Sequence, residues 1–472
     1  MELRDILGMG KDFLLIGIFL TVLLVAIFGI GYLVYRKIGK GKKKADKYKL
    51  LWWFVFICYI LVVVLGTLLS RGSYHDGAML LSPFFAYQEA WMSASFAAWG
   101  LIVVNIVLFV PFGFLLPLGN KKFQTFWKTY LAGFLFSLTI ELIQLFFHLG
   151  IFETADLLNN TIGVCIGYGF YKIIVCFMSA RKKEKISIMK TILFQIPLFL
   201  CIAGFGGTYI VYQMQELGNI PTYPLDITMK HNIDVTIHSS ETYDTKEVNE
   251  MVYKMEGYTK EEAKQVAISF FDRMHTKINE DSVMVYDECV IYEDVDEKYN
   301  IWIYFKNGNI NINTLNIRDE ENKQSIKASR ETLEKALSKY GIFLPEGTTL
   351  TINKERQTYS FEADKIKIGD TLYDGKLECT YYENGELDNI RNEIIVANPY
   401  KEFPLISQQE AFEKLYDEEF GFYDKDITLD VGKVHIGYKQ DSKGYYQPVY
   451  VFDVKYNNED TISQIMIPAV KK

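Results

Sequence analysis

The chain has 472 residues, room for two or three domains at about 150 residues each, and 49% of them are hydrophobic. Its net charge of −8 conceals two unlike halves: residues 1–212 carry 20 Lys and Arg against 10 Asp and Glu, whereas residues 213–472 carry 30 against 48. This excludes a single soluble globule, a disulfide-dense mini-protein and a disordered chain, and the acidic second half lacks the basic surface that nucleic acid requires.

Six segments are long and apolar enough to span a bilayer, which takes about 20 residues. They are Phe13–Tyr35, Leu50–Ser70, Trp99–Leu118, Trp127–Phe147, Thr161–Met178 and Ile188–Tyr212. The first is too long, and too basic behind, for a cleavable signal, so it reads as a retained helix. Lys and Arg concentrate in alternate loops. Arg36–Lys49 holds eight, Gly119–Lys128 holds Lys121, Lys122 and Lys128, and Arg181–Lys190 holds five. The loops Arg71–Ala98 and His148–Asn160 contain only Arg71. The excess of basic residues on the cytoplasmic side places the N-terminus, the base-poor loops and the whole second half outside. The expected localisation is a multi-pass cell membrane protein. Of the six cysteines, Cys58, Cys165, Cys176 and Cys201 lie in spans, and a Cys289–Cys379 bridge is open in the outer half.

Ionisable groups within spans are costly and face the bundle interior. Ser137, Glu141, Gln144 and His148 are spaced +4, +3 and +4, one helical stripe running to the outer end. Asp156 and Asn160 share a face with Gly163 and Gly167, a small-residue pair that admits a close helix. Asp156 also fits a helix N-terminal cap, favoured by the helix dipole. Asn105 lies near the outer end of the third span, and Pro111 predicts a kink below it. Arg71, Asn105, Glu141, Gln144, Asp156 and Asn160 thus fall at one depth. They form either a polar clasp between helices or an outward-facing pocket for a polar head group.

These residues sit in recognisable strings: TLLSR ending at Arg71, LSPF at Leu81–Phe84, NIVLFVPFGFLLP at Asn105–Pro117, ELIQ at Glu141–Gln144 and FETADLLNNTIG at Phe152–Gly163. Their order and spacing resemble the VanZ-like family over roughly Leu50–Met178. The resemblance implies that Arg71, Asn105, Pro111, Gly113, Glu141, Gln144, Asp156, Asn160 and Gly163 hold signature positions. It also implies a link to teicoplanin, a lipoglycopeptide. Ala155 stands where many members carry a second acid, which weakens the idea of a metal held by adjacent carboxylates.

Past Tyr212 the apolar runs stop, and residues 213–256 read as an exit linker with first strands. A helix followed by strands then recurs three times, over about 257–318, 327–397 and 406–472. The helices are Tyr258–Met274, capped by Thr259 with Glu262 three residues on, Ser329–Lys339, and Ser407–Glu418. Turns fall at Asn307-Gly308 and Asn384-Gly385. Ile406–Tyr416, Tyr445–Tyr456 and Ile465–Val470 resemble PepSY-like and YycH-like extracytoplasmic domains, which implies sensing or regulation and a protein partner. The expected fold class is a six-helix membrane bundle followed by an α+β domain of repeated helix-plus-meander units.

No chemistry stands out in the second half. His231, His238, His275 and His435 have no metal-ligand spacing, and no phosphate loop or nucleophile elbow occurs. Acidic runs at Glu293–Glu297 and Asp417–Glu419 lack calcium-loop spacing and read as solvated faces. No cofactor or metal is expected, and the absence of an obvious nucleophile leans away from an enzyme. The expectation is a membrane protein that meets a lipid-linked wall precursor or a lipoglycopeptide and protects the envelope. The alternatives are a membrane-embedded enzyme acting on a lipid head group, with Glu141 or Asp156 as base and Arg71 as clamp, and an extracytoplasmic sensor.

Overall fold

The computed structural model describes residues 22, 46–69, 79–93, 95–183, 187–221, 235–315, 327–353, 358–417, 427–457 and 461–471. The expected first span, Phe13–Tyr35, and Arg71 lie outside them, apart from Val22. The chain divides into two compact units. One is Met1–Glu216 with Pro221–Thr236 and Glu418–Ile427, and the other is Leu217–Ile220 with Ile237–Asp417 and Thr428–Lys472.

The first unit is helical. Helix α1, Lys47–Val64, starts on the Asp46 carboxylate, which accepts from Tyr48 N, and continues as a π-helical turn, Leu65–Leu69. Then come a short strand β1, Met79–Leu80, and helices α2, Phe85–Met92, α3, Phe96–Gly119, and α4, Phe126–Phe146. Strand β2, Phe152–Glu153, leads into α5, Thr154–Arg181, followed by α6, Ile188–Leu193, and α7, Ile196–Met214. Among the described residues five helices are long and apolar enough to cross a membrane, in Lys47–Leu68, α3, α4, α5 and α7.

Several expectations change here. The base-poor loop before α3 contains a helix, α2. The last span is interrupted at Phe194–Gln195, because the Gln195 amide turns across to donate to Gly169 O at 3.0 Å and Pro197 restarts the helix at its first turn. Helix α4 ends at Phe146, and His148 turns away with φ of 55°, so it leaves the stripe of Glu141.

Helices α3 and α5 run in parallel with their backbones in contact. A Cβ on Gly163 would stand 2.0 Å from Ile106 O, and one on Gly167 2.0 Å from Val110 O. Only glycine permits this approach. The two base-poor loops meet as well: β1 pairs in parallel with β2, Met79 opposite Phe152 and Leu80 opposite Glu153. Those two loops therefore lie at the same end of the bundle.

The second unit is one antiparallel sheet with helices packed on it. Its strands are β3, Val235–Ser239, β4, Asn249–Met255, β5, Met284–Val285, β6, Cys289–Glu293, β7, Tyr299–Tyr304, and β8, Ile310–Thr314. They continue with β9, Thr349–Asn353, β10, Thr358–Ile368, β11, Thr371–Tyr381, β12, Leu387–Asn392, and β13, Ile395–Pro404. The last are β14, Ile427–Gln440, β15, Tyr445–Tyr456, and β16, Ser463–Pro468. The order is β3-β14-β15-β4-β13-β11-β12-β8-β7-β6-β5, with β16 on β15, β10 on β11 and β9 on β10. The three helix-plus-strand units thus feed one sheet, and the expected strand Ile390–Val396 resolves into the end of β12 and the start of β13.

Helices α8, Lys260–Arg273, and α9, Arg330–Lys339, cover one face. Ala263, Ala267, Phe270 and Phe271, and then Leu333, Ala336 and Leu337, meet Ile301, Ile303, Ile312, Phe361, Leu377 and Ile390. Each large buried side chain contributes about 1.5–3 kcal/mol. Thr259 and Glu262 form a reciprocal cap on α8, as do Ser407 and Glu410 on α10, Gln408–Glu413. Cys289 and Cys379 are both buried and free. Cys379 belongs to the helix-covered core, while Cys289 pairs with Tyr304 on the other face, so the sheet separates them.

Candidate functional site

The polar residues of the membrane unit gather at the end where β1 meets β2. Asn105 on α3 donates from Nδ2 to Asp156 Oδ1 at 2.5 Å. Asp156 therefore spends an oxygen on a neighbouring helix. It does not cap α5, whose N-cap is Glu153. Glu141, only 2% exposed, accepts from Glu153 N at 3.0 Å, so the α4 carboxylate holds the residue that starts α5. Asn160 Nδ2 donates to Ser137 Oγ at 2.8 Å, one turn below Glu141 on the same stripe. Gln144 Nε2 donates to Thr67 O in the π-turn at 2.9 Å. Five of the six expected residues thus come together from α3, α4 and α5, and the sixth, Arg71, is outside the described residues.

The structure adds residues that sequence reasoning did not single out. Asn159, fully buried, accepts at Oδ1 from Tyr87 OH at 2.5 Å, which brings α2 into the cluster. Thr154 Oγ1 donates to Leu80 O at 3.2 Å. The doublet Asn159-Asn160 in an apolar helix was a readable signal. Tyr87 was not, because α2 itself was not expected.

Three buried amides in this cluster are satisfied at one atom and unpartnered at the other: Gln144 Oε1, Asn159 Nδ2 and Asn160 Oδ1. Gln144 is the clearest, because its Nε2 faces a backbone carbonyl and leaves Oε1 as an acceptor. Chemically the cluster offers carboxylates, amide acceptors and an amide donor in a low-dielectric setting, where each unmade hydrogen bond is costly. Among the described residues no group of His, Cys, Asp and Glu has the arrangement to hold a metal ion.

Within the acidic run Glu293–Glu297, Asp296 and Glu297 are exposed and Asp294 alone is buried, while Glu418 and Glu419 of the other run lie outside the described residues. Asp294, fully buried, accepts from Lys298 N and Tyr299 N at 2.8 Å and from Thr276 Oγ1 at 3.1 Å. It closes the β6–β7 turn and is not a solvated charge. Asp441 does the same before β15, accepting from Lys443 N at 2.8 Å and Tyr445 N at 2.9 Å, and also from Gly218 N at 2.6 Å.

The VanZ/LLP1 family profile matches residues 49–175. Protein VanZ from Enterococcus faecium is 27% identical over 150 residues, covering 32% of this chain and 87% of that protein. An uncharacterised protein from Eubacterium rectale aligns in structure with a TM-score of 0.27 at 11% identity, over 50% of this chain and 88% of its own. The C-terminal domain of Bacillus megaterium YpeB aligns with a TM-score of 0.22 at 14% identity, over 46% of this chain and 95% of its own. Likenesses at these scores fix neither fold nor function. The sequence match falls on the helices that carry Asn105, Glu141, Gln144, Asp156 and Asn160, and residues 49–175 are a VanZ/LLP1 domain.

Proposed function

We propose that this membrane domain holds the polar head group of a lipid-linked wall precursor, or of a lipoglycopeptide such as teicoplanin, at the outward end of its bundle, and lowers access of the drug to its target. One observation carries the reading: the buried cluster ends in amide atoms without partners, Gln144 Oε1 above all. A self-contained clasp would close its hydrogen bonds, because each one left unmade costs about 1–3 kcal/mol. The outward orientation, with the second unit outside, follows from the Lys and Arg of alternate loops. The pairing of β1 with β2 supports it by holding both base-poor loops at one end. The action is binding, not turnover.

Susceptibility of a Gram-positive host with and without the protein tests this, comparing teicoplanin with vancomycin, which lacks the lipid tail. Selective protection against teicoplanin is expected. Glu141→Gln keeps the side chain's shape and removes its charge; it should return susceptibility most of the way to that of the host lacking the protein, with unchanged membrane content by immunoblot. Full protection by that variant, or no protection by the native chain, overturns the reading.

A further inference from the structure

The end of the bundle opposite β1 and β2 carries the base-rich loops, and α5 adds one more cation there, inside its span. Lys172 lies about 24 Å along α5 from Asp156, at 1.5 Å per residue. Tyr168, one turn before it, donates from its hydroxyl to Gln124 O at 2.7 Å, so this turn is level with the loop between α3 and α4. Beyond Lys172 the helix continues to Arg181, with Ile173, Ile174, Phe177 and Met178 exposed. Lys172 itself is partly exposed. Its charge thus borders open apolar surface of a membrane span, where an ionisable group is costly unless it finds a counter-charge.

Three rings wall the ammonium. Lys172 Nζ stands 5.1 Å from the ring centre of Tyr168 and 5.6 Å from those of Tyr171 and Phe194. The third wall comes from the break between α6 and α7. Gln195 Nε2 donates to Gly169 O at 3.0 Å and to Thr191 O at 3.1 Å, and a Cβ on Gly169 would stand 2.5 Å from Phe194 O, so only glycine lets the break dock on α5. The docked turn sets the Phe194 ring edge-on to Tyr168 at 5.1 Å. Ring faces attract a cation but carry no net negative charge. Among the described residues Lys172 Nζ meets no carboxylate and no hydrogen-bond acceptor. A second cation stands close by: Lys190, exposed, is one helical turn before Phe194, whose N donates to Lys190 O at 3.3 Å. Ile192 and Leu193 beside it are exposed as well.

We propose that Lys172 and Lys190 form a site for the phosphodiester of an anionic phospholipid, in the leaflet at the base-rich end of the bundle. The phosphate oxygens accept from the two ammonium groups and supply the counter-charge that the rings do not. The acyl chains lie on the exposed apolar side chains of α5 and α6 that flank the pair. A water-soluble phosphate offers the same oxygens but leaves that apolar surface bare, so the lipid binds far more tightly. The site lies at the far end of the bundle from the Glu141 cluster, and the inference does not depend on the drug phenotype.

Thermal unfolding of the full chain in dodecylmaltoside micelles, titrated with dioleoyl phosphatidylglycerol, tests it. A saturable rise in the unfolding midpoint is expected, with no comparable rise from dioleoyl phosphatidylcholine or from inorganic phosphate. Lys172→Gln should raise the half-saturating lipid concentration about tenfold, and Lys172→Arg, which keeps the charge, should restore it. Lys190→Gln should raise it about fivefold; Lys190 is exposed, so this variant decides the matter even where Lys172→Gln disturbs folding. Lys121→Gln removes an exposed charge from the neighbouring loop and should leave binding as it is. An equal rise with phosphatidylcholine or inorganic phosphate, native affinity in Lys190→Gln, or a loss in Lys121→Gln as large as in Lys172→Gln overturns the proposal.

Discussion

At the scale of single residues, Tyr340 shows how the sheet unit uses buried polar atoms. Its hydroxyl donates to Leu387 O at 3.1 Å and accepts from Leu387 N at 3.2 Å, and burial pushes its pKa up to about 12. A tyrosine whose pKa is raised by folding contributes stability that is complete below its ordinary value, about 10, and that is lost as pH rises toward 12. Chemical unfolding of the full chain in detergent should therefore show stability falling from about pH 10 upward. Tyr340→Phe should cost about 1–3 kcal/mol at neutral pH, because both Leu387 groups lose their partner, and should flatten that alkaline decline. At this scale the sequence was informative where a polar residue interrupts an apolar run. Glu141, Gln144 and Asn160 stood out for that reason and are buried in one cluster. Asn160 meets the Ser137 hydroxyl of the same stripe, but the partners that fix Gln144 and Glu141, Thr67 O and Glu153 N, are backbone atoms, and a residue's identity says nothing about those.

At the scale of elements, the contact between α3 and α5 sets the frame of the cluster. Gly163→Ala drives a methyl into Ile106 O, whereas a Cβ at Gly204 on α7 meets nothing within 4 Å. In thermal unfolding of the detergent-solubilised protein, Gly163→Ala should destabilise by about 3 kcal/mol or more. Gly204→Ala should be neutral or stabilising by up to about 1 kcal/mol through helix propensity. Equal effects of the two would mean that the helices separate at little cost. Helix starts in the second unit were legible because a cap is a local event: Thr259 with Glu262 and Ser407 with Glu410 are three residues apart and bond each other directly. Breaks such as the one at Phe194–Gln195 were not, since that turn is held by Gly169 on another helix.

At the scale of the whole molecule, the division into an apolar helical half and an acidic strand-rich half follows from composition, because each half must bury its surface in a different solvent. The sheet order does not follow, because antiparallel neighbours are chosen by contacts between distant segments. One such contact ties Leu217–Ile220 to the turn before β15, where Asp441 Oδ2 accepts from both Gly218 N and Gln447 Nε2. Asp441→Ala should cost about 3 kcal/mol by leaving those donors and two turn amides unsatisfied. It should also make residues 217–221 the first site cut in limited proteolysis, with the remaining strands protected; unchanged cleavage would show that the clasp is dispensable. Strand β4 carries a different consequence. It lies between β13 and β15, both supplied from far along the chain. During synthesis Asn249–Met255 emerges long before either neighbour exists, while hairpins such as β7–β8 can zip at once. Closure of the sheet is therefore a late event of high contact order, and until the last strands arrive β4 is an open edge that invites wrong pairing and a holding factor.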